Sequence, residues 1–162
     1  MVTNLEYALK YISQGFAIFP CKGKSPLTKN GFKDASTSPE QIKKWWKASP
    51  EANIAIATGI KSQVEVLDID KKSDGFNSLR KILTDIGPLP TENVVKTGGG
   101  GYHFYFHYSG RGYTNRSNIL PGVDFKTEGG YVIAPPSLHE SGQNYKWIEF
   151  NYQNFMKGET EC

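Results

Sequence analysis

Apolar positions along the chain follow two spacings, one typical of helices and one typical of strands. An apolar residue at every third or fourth position predicts helices over residues 5–12, after Ser38-Pro39, and over Gly75–Ile86. Short apolar runs between turn residues predict strands. These runs are residues 16–20, 53–57, 64–68, 93–96, 102–108, 122–126, 131–134 and 145–148. The order of elements indicates a mixed α/β (α+β) protein but does not specify its topology.

The strand predicted at residues 64–68 leads into two carboxylates, Asp68 and Asp70, separated by one residue. Because side chains alternate across a strand, both would project from the same face. Two like charges on one face cost stability unless a cation lies between them, and Mg²⁺ or Mn²⁺ takes one or two carboxylates together with substrate phosphates. A structural role is the alternative. In that case the pair closes the strand and caps the next turn, with Lys71 and Lys72 neutralising the charge.

Four consecutive glycines precede the strand predicted at residues 102–108, and Gly99, Gly100 and Gly101 are candidates for nucleotide binding. Glycines cost conformational entropy, but they let a backbone approach a ligand and present its N–H groups. The alternative is a flexible hairpin loop. In the strand that follows, alternation places His103 on one face with other polar-tipped residues and the phenylalanines on the opposite face. We expect the phenylalanine face to pack in a core and the histidine face to be open.

Two further segments carry candidate site residues. The strand at residues 122–126 contains a lone carboxylate, Asp124, followed two residues later by Lys126. Lys24 lies in a turn-rich loop near a strand end, where it would reach a phosphate or remain an ordinary solvated lysine. Carboxylates can hold metal ions that activate a hydroxyl and stabilise a leaving group, while His103 and the glycine amides would bind a triphosphate. This constellation suits phosphoryl chemistry, with hydrolysis and nucleotidyl transfer both open.

Composition sets limits on the class of protein. A chain of 162 residues with 38% hydrophobic and 22% charged residues fits one globular domain with a real core. The net charge of +3 permits an anionic partner without demonstrating one. No secretion signal or apolar run of membrane-span length is present, so we expect a cytoplasmic protein with no membrane partner. Cys21 and Cys162 lack metal-ligand spacing and indicate neither a zinc site nor a disulfide framework.

Taken together and in order, the motifs form a pattern more specific than any one of them. They are residues 15–20, 23–27, the Ile42-x-x-Trp45-Trp46 pattern, residues 53–59, 66–70, 97–106, 121–126 and 129–137, and Tyr145-x-Trp147. This series resembles the bifunctional DNA primase/polymerase (prim-pol) N-terminal domain of the archaeo-eukaryotic primase superfamily, which occurs in plasmid, phage and prophage replication proteins. The resemblance covers nearly all of the chain up to Phe150.

The resemblance assigns a role to each main candidate. It implies that Asp68 and Asp70 are paired metal ligands and that Asp124 is the third acid of the site. It implies that His103 contacts the phosphates of the incoming nucleotide, and that Lys126 is the basic residue that family members place two positions after the third acid. The implied cofactors are two Mg²⁺ or Mn²⁺ ions.

The resemblance also implies a fold and an activity. The fold is the prim-pol catalytic fold, in which an RRM-like mixed or antiparallel sheet bears the acids beside a small N-terminal α/β unit. The catalytic domain would span residues 1–150, and residues 151–162 would be a tail or the start of a linker to a further C-terminal region. The activity is template-directed synthesis and extension of primers from dNTPs or NTPs, with single-stranded DNA template and primer as partners.

Two departures from the family pattern qualify these expectations. The superfamily often has Ser-x-His where this chain has Gly101-Tyr102-His103, so a hydroxyl contact to the nucleotide is lost unless backbone amides replace it. A helical accessory domain and a helicase, which follow this module in related proteins, are expected in a longer parent protein. We therefore expect the isolated domain to extend primers better than it initiates them. A metal-dependent phosphodiesterase or nuclease and a catalytically inert nucleic-acid-binding module are the alternatives.

Overall fold

The computed structural model describes residues 1–158, and this part of the chain has the mixed α+β character predicted. Its helices are α1 (Asn4–Ser13), α2 (Pro39–Ala48), α3 (Gly75–Ile86) and α4 (Tyr152–Met156). Its strands are β1 (Ile18–Lys22), β2 (Ser25–Pro26), β3 (Asn53–Ala57), β4 (Val64–Ile69), β5 (Val94–Lys96), β6 (Tyr102–His107), β7 (Arg116–Leu120), β8 (Val123–Lys126), β9 (Tyr131–Ala134) and β10 (Lys146–Ile148). None of these helices combines the length and apolarity that crossing a membrane requires.

Local sequence signals start the first two helices where they were predicted. The Thr3 hydroxyl accepts a hydrogen bond from the Glu6 N–H at 3.2 Å and caps α1. The Ser38 hydroxyl accepts one from the Gln41 N–H at 3.4 Å, and Pro39 occupies the first position of α2. These boundaries therefore depend on side chains within one turn of the helix end.

The strands form two antiparallel sheets. The first has the order β2-β1-β3-β9, and the second has the order β10-β5-β6-β4-β8-β7. Helices α1 and α2 pack on the first sheet, and α3 packs on β4 and β8 of the second. The small N-terminal unit expected from the sequence is present, but its sheet is completed from late in the chain, because β9 pairs with β3 and places Ala134 opposite Ile54.

Within the described residues the chain passes between the sheets at 58–63, 127–130 and 135–145, and the first two crossings are bonded to each other. The Thr58 N–H donates to the Gly130 carbonyl at 3.0 Å, and the Thr58 hydroxyl donates to the Thr127 carbonyl at 2.7 Å. The carboxylate of Glu128 also accepts from a backbone N–H of the first crossing. These bonds therefore fasten the first two crossings together at the junction between the sheets.

The second sheet has a buried core on each face. On one face Phe104 packs with Leu79 of α3, and on the other face Tyr105 packs with residues of the first sheet. The prediction of an open histidine face is wrong for His103, which is 5% exposed, and for Tyr105, which is 3% exposed. Alternation identifies the side chains that share a face, but it does not reveal that a second sheet covers that face.

Strand β7 was not predicted from the sequence. Arg116 begins this edge strand, whose first four side chains are exposed. A strand exposed on both faces has no alternation of apolar and polar residues, so the pattern that reveals other strands is absent from it.

The packed chain extends past the boundary expected at residue 150. Helix α4 begins at Tyr152, whose hydroxyl donates to the Leu89 carbonyl at 3.2 Å. Phe155 is 3% exposed and belongs to the core shared with α3. The rest of the predicted tail, residues 159–162, lies outside the described residues.

Two buried weak acids predict how stability depends on alkaline pH. Burial raises the pKa of the Cys21 thiol from 9.0 to about 12, and burial, with the charges of Asp68 and Glu140, raises that of Tyr145 from 10.0 to about 12. Folding favours the neutral forms of both groups. Their contribution to the free energy of unfolding is therefore complete below the unfolded pKa values and is lost as the pH rises towards 12. We expect the free energy of unfolding, measured by urea titration, to fall above about pH 9. The fall should be shallower in Cys21→Ala, and identical pH dependence in both proteins would contradict the assignment to Cys21.

Candidate active site

Three adjacent strands bring Asp68, His103 and Asp124 into one row. Strand β4 lies between β6 and β8, so Asp68 is directly opposite His103 on one side and directly opposite Asp124 on the other. Directly opposed residues of antiparallel strands share a face, with Cβ atoms about 4.5–5.5 Å apart. The first of the two predicted carboxylates is therefore flanked by two candidates from distant parts of the chain.

The environment of Asp68 keeps it ionised. Burial alone would raise its pKa, but the charge and hydrogen bonding of His103, followed by the charges of Lys126 and Lys24, outweigh burial and lower the pKa below 3.8. The Nε2 atom of His103 lies 3.5 Å from Asp68 Oδ1. Asp68 is consequently an anion at neutral pH although its side chain is only 28% exposed.

Asp124 is oriented by contacts with the edge strand β7 and with its own strand, β8. Its Oδ1 atom accepts a hydrogen bond from the Asn118 N–H at 2.7 Å, and its Oδ2 atom lies 3.6 Å from the Lys126 ammonium nitrogen. Asn118 has a φ of +56° within the irregular pairing of β7 with β8. The irregularity turns a backbone N–H towards the carboxylate, so β7 fixes the orientation of Asp124.

Asp70 lies just beyond β4 and has a structural role as well as a place in the site. Its Oδ1 atom accepts from the Lys72 N–H at 2.9 Å and its Oδ2 atom accepts from the Ser73 hydroxyl at 2.9 Å, which caps the short 3-10 turn that follows. The structural alternative considered for the acid pair therefore describes part of what Asp70 does. Each carboxylate oxygen has two lone pairs, so these bonds leave acceptor capacity on both oxygens.

Thr97 organises the glycine loop. The Gly100 N–H donates to the Thr97 carbonyl at 3.0 Å, and the Gly101 N–H donates to the Thr97 hydroxyl at 3.0 Å. Gly101 also lies against the Ile69 carbonyl, where a Cβ atom would not fit. Within the part of the chain that the structure describes, the Gly99 N–H makes no hydrogen bond. Gly99 also lines the cavity between the two sheets, so its N–H is available to a ligand there.

The candidate residues line one cavity of about 660 Å³ between the two sheets. This volume falls within the range of about 300–1,000 Å³ typical of ligand sites. The predicted site residues that line it are Lys24, Asp68, Asp70, Gly99, Gly101, His103, Asp124 and Lys126. Gly100 does not line the cavity. Lys24 enters from the loop before β2, where its carbonyl accepts from the Tyr131 hydroxyl at 2.8 Å.

Sequence reasoning assigned no place in the site to several cavity residues. Asn115, Asn118, His139 and Tyr145 all line the cavity, and each comes from a loop, a strand end or an irregular strand. No periodic pattern marks such positions. A polar residue in a turn-rich segment was the only signal, and it does not distinguish a solvated loop from a cavity wall.

The acids suit a hard divalent cation without forming a complete site by themselves. Among the described residues, no three or more His, Cys, Asp or Glu side chains are grouped closely enough to hold a metal ion. Mg²⁺ usually binds one or two carboxylates and completes its coordination with substrate phosphates and water. Asp68 and Asp124, paired across adjacent strands, match that smaller ligand set.

Comparison with known families agrees with this geometry. The family model for the N-terminal domain of bifunctional DNA primase/polymerase (Prim-Pol) matches residues 8–155 of the 162-residue chain. No curated protein matches the sequence at a significant level of similarity. The matched residues include both sheets and every residue that lines the cavity. The chain therefore belongs to the Prim-Pol family of bifunctional DNA primase/polymerase N-terminal domains, as the ordered motifs predicted.

Proposed function

We propose that this domain performs template-directed nucleotidyl transfer, in which the 3′ hydroxyl of a primer attacks the α-phosphate of a dNTP or NTP. The row formed by Asp68, His103 and Asp124 carries the proposal, because it combines anionic metal ligands with a phosphate-binding side chain in one cavity. Membership of the Prim-Pol family supports DNA as template and primer. The biological setting that we propose is replication of a plasmid, phage or prophage element.

The carboxylates would hold Mg²⁺ or Mn²⁺. Asp68, Asp70 and Asp124 would be the ligands: all three line the cavity, and Asp124 lies directly opposite Asp68 on the adjacent strand. When bound, divalent cations help to activate an attacking hydroxyl and to stabilise the leaving oxygen of an in-line displacement. Two features support this role: neighbouring positive charges keep Asp68 ionised, and the Asn118 N–H fixes the orientation of Asp124.

Basic groups around the acids would bind the triphosphate. The charges of Lys24 and Lys126 reach Asp68, so they also act on any phosphate that lies next to it. His103 directs Nε2 towards Asp68, and its buried Nδ1 atom has no hydrogen-bond partner among the described residues. Nε2 is therefore the ring nitrogen that faces the carboxylates and would contact a phosphate bound beside them.

A primer-extension assay tests the proposal. The purified chain is incubated with a labelled primer on a single-stranded DNA template, dNTPs and Mn²⁺. We expect stepwise elongation that stops when EDTA removes the metal and resumes when excess Mn²⁺ is added. Initiation without a primer should be weaker, because a helical accessory domain and a helicase are proposed partners of this domain. Strand cleavage without dNTPs would indicate a nuclease instead, and metal-independent DNA binding alone would indicate an inert binding module.

A further inference from the structure

His139 lies in a tight turn that folds back onto the cavity. Its N–H donates to the Gln143 carbonyl at 2.9 Å, and the Gly142 N–H donates to the His139 carbonyl at 3.0 Å. Leu138 and Asn144 form a bridge that closes the base of this turn. The backbone around His139 is therefore fixed by hydrogen bonds on both sides.

The ring of His139 is oriented by two contacts. Its Nδ1 atom accepts a hydrogen bond from the Ser141 N–H at 3.0 Å, and its ring packs edge-on against Tyr145 with centroids 5.9 Å apart. In a neutral imidazole, one nitrogen accepts and the other carries the proton. The bond to Ser141 therefore places the proton on Nε2, which makes Nε2 a hydrogen-bond donor.

The glycine loop packs tightly against this turn. A Cβ atom on Gly98 would not fit, because the Cβ of His139 occupies that space. The Ser141 hydroxyl also donates to the Gly98 carbonyl at 2.7 Å, which joins the turn to the loop. A Cβ atom built on Gly99 would lie 3.5 Å from His139 Nε2. The donor nitrogen of His139 is therefore held beside the backbone of Gly99.

The His139 donor and the backbone of Gly99 are therefore close together, and both residues line the cavity. Within the described part of the chain, neither the His139 Nε2–H nor the Gly99 N–H has a hydrogen-bond partner. Paired donors can bind an acceptor such as an anionic oxygen. Lys72 also lines the cavity and adds positive charge, whereas the carboxylate of Glu140 on the same wall opposes it.

We propose that His139 Nε2–H and Gly99 N–H together bind a phosphate oxygen of the incoming nucleotide, at a position separate from His103. This inference rests on the proposed function, because it names a second phosphate contact in the same cavity. His139 is a binding residue and takes no part in bond making. Its contact is the same before and during the reaction, so it lowers KM for the nucleotide without raising kcat.

Two substitutions separate this contact from a structural role. Asn at position 139 can keep an oxygen where Nδ1 accepts from Ser141 but cannot place a donor at Nε2. Gln can place an amide N–H where Nε2 lies but loses the acceptor for Ser141. For His139→Asn we expect KM for dNTP to rise about tenfold, the loss typical of a hydrogen bond to a charged group, with kcat within about twofold of wild type. His139→Gln should retain most of the wild-type KM.

Binding of inorganic triphosphate with Mn²⁺, measured by calorimetry, gives a readout that does not depend on polymerase activity. We expect His139→Asn to weaken triphosphate binding about tenfold. His107→Asn, an exposed histidine of β6 that does not line this cavity, should bind as wild type. Unchanged triphosphate binding in His139→Asn, or equal losses in the Asn and Gln variants, would overturn the inference. Absence of primer extension by wild type, with triphosphate binding still lowered in His139→Asn, would instead contradict the proposed function alone.

Discussion

Asp68→Asn should lower kcat/KM for primer extension by at least about a hundredfold, comparable with removing one electrostatic stabiliser from an active site. Asn has nearly the same shape and leaves an oxygen near His103, but it removes the negative charge from the middle of the row. A metal ion would then have only Asp124 as its directly paired ligand on these strands. Steady-state extension assays with Mn²⁺ would measure the loss, and urea titration would confirm that the variant folds.

One further substitution controls for the loss of a charge alone, and another tests the carboxylate just beyond β4. Asp85→Asn removes an exposed carboxylate of α3, far from the cavity wall, and should extend primers as wild type does. Asp70→Asn removes the charge of a proposed metal ligand, so it should lose activity. It keeps an acceptor for the Lys72 N–H, so it should keep most of the stability that its cap provides. Extension by Asp68→Asn within a few fold of wild type would show that the row is not the catalytic centre.

Gly101→Ala should destabilise the protein by about 1–3 kcal/mol, the usual cost of forcing an extra methyl group into filled space. The new Cβ atom would run into the Ile69 carbonyl, so the loop or the end of β4 must shift. Since Asp68 and Asp70 flank Ile69, primer extension should fall as well. The free energy of unfolding from urea titration measures the first effect, and extension assays measure the second.

Gly99→Ala is the matched control within the same loop. The nearest atom to its added Cβ is His139 Nε2 at 3.5 Å, which is an ordinary van der Waals distance. Its stability should therefore stay close to that of wild type. Equal destabilisation by the two substitutions would mean that the loop requires glycine for backbone freedom in general and not for its close approach to Ile69.

The parts of the fold that could be predicted from the sequence are those set by neighbouring residues. Helix α1 follows its Thr3 cap and α2 follows its Ser38 cap, since both signals act within one turn. The apolar run of β4 and the carboxylates at its end are equally local. Pairing of Asp68 with Asp124 is not local, because strand register depends on which strands become neighbours. That part of the site was supplied by the resemblance to a family.

Burial was the property that the sequence predicted least well. His103 was expected on an open face, but packing of the first sheet against the second leaves it 5% exposed. The same packing depends on β9, which enters the first sheet from the other end of the chain. The position of His139 beside Gly99 was not predicted for a related reason. It depends on contacts between the turn at residues 138–144 and the glycine loop, which are distant in sequence.

The bonded crossings at residues 58–63 and 127–130 contribute to the cavity as well as to the connection between the sheets. Gly129 and Gly130 belong to one crossing and also line the cavity, so the junction forms part of its wall. The two Thr58 bonds hold this part of the wall to the other crossing, at about 0.5–1.5 kcal/mol each. A substitution that alters the packing of either crossing would therefore act on the cavity wall as well as on the junction.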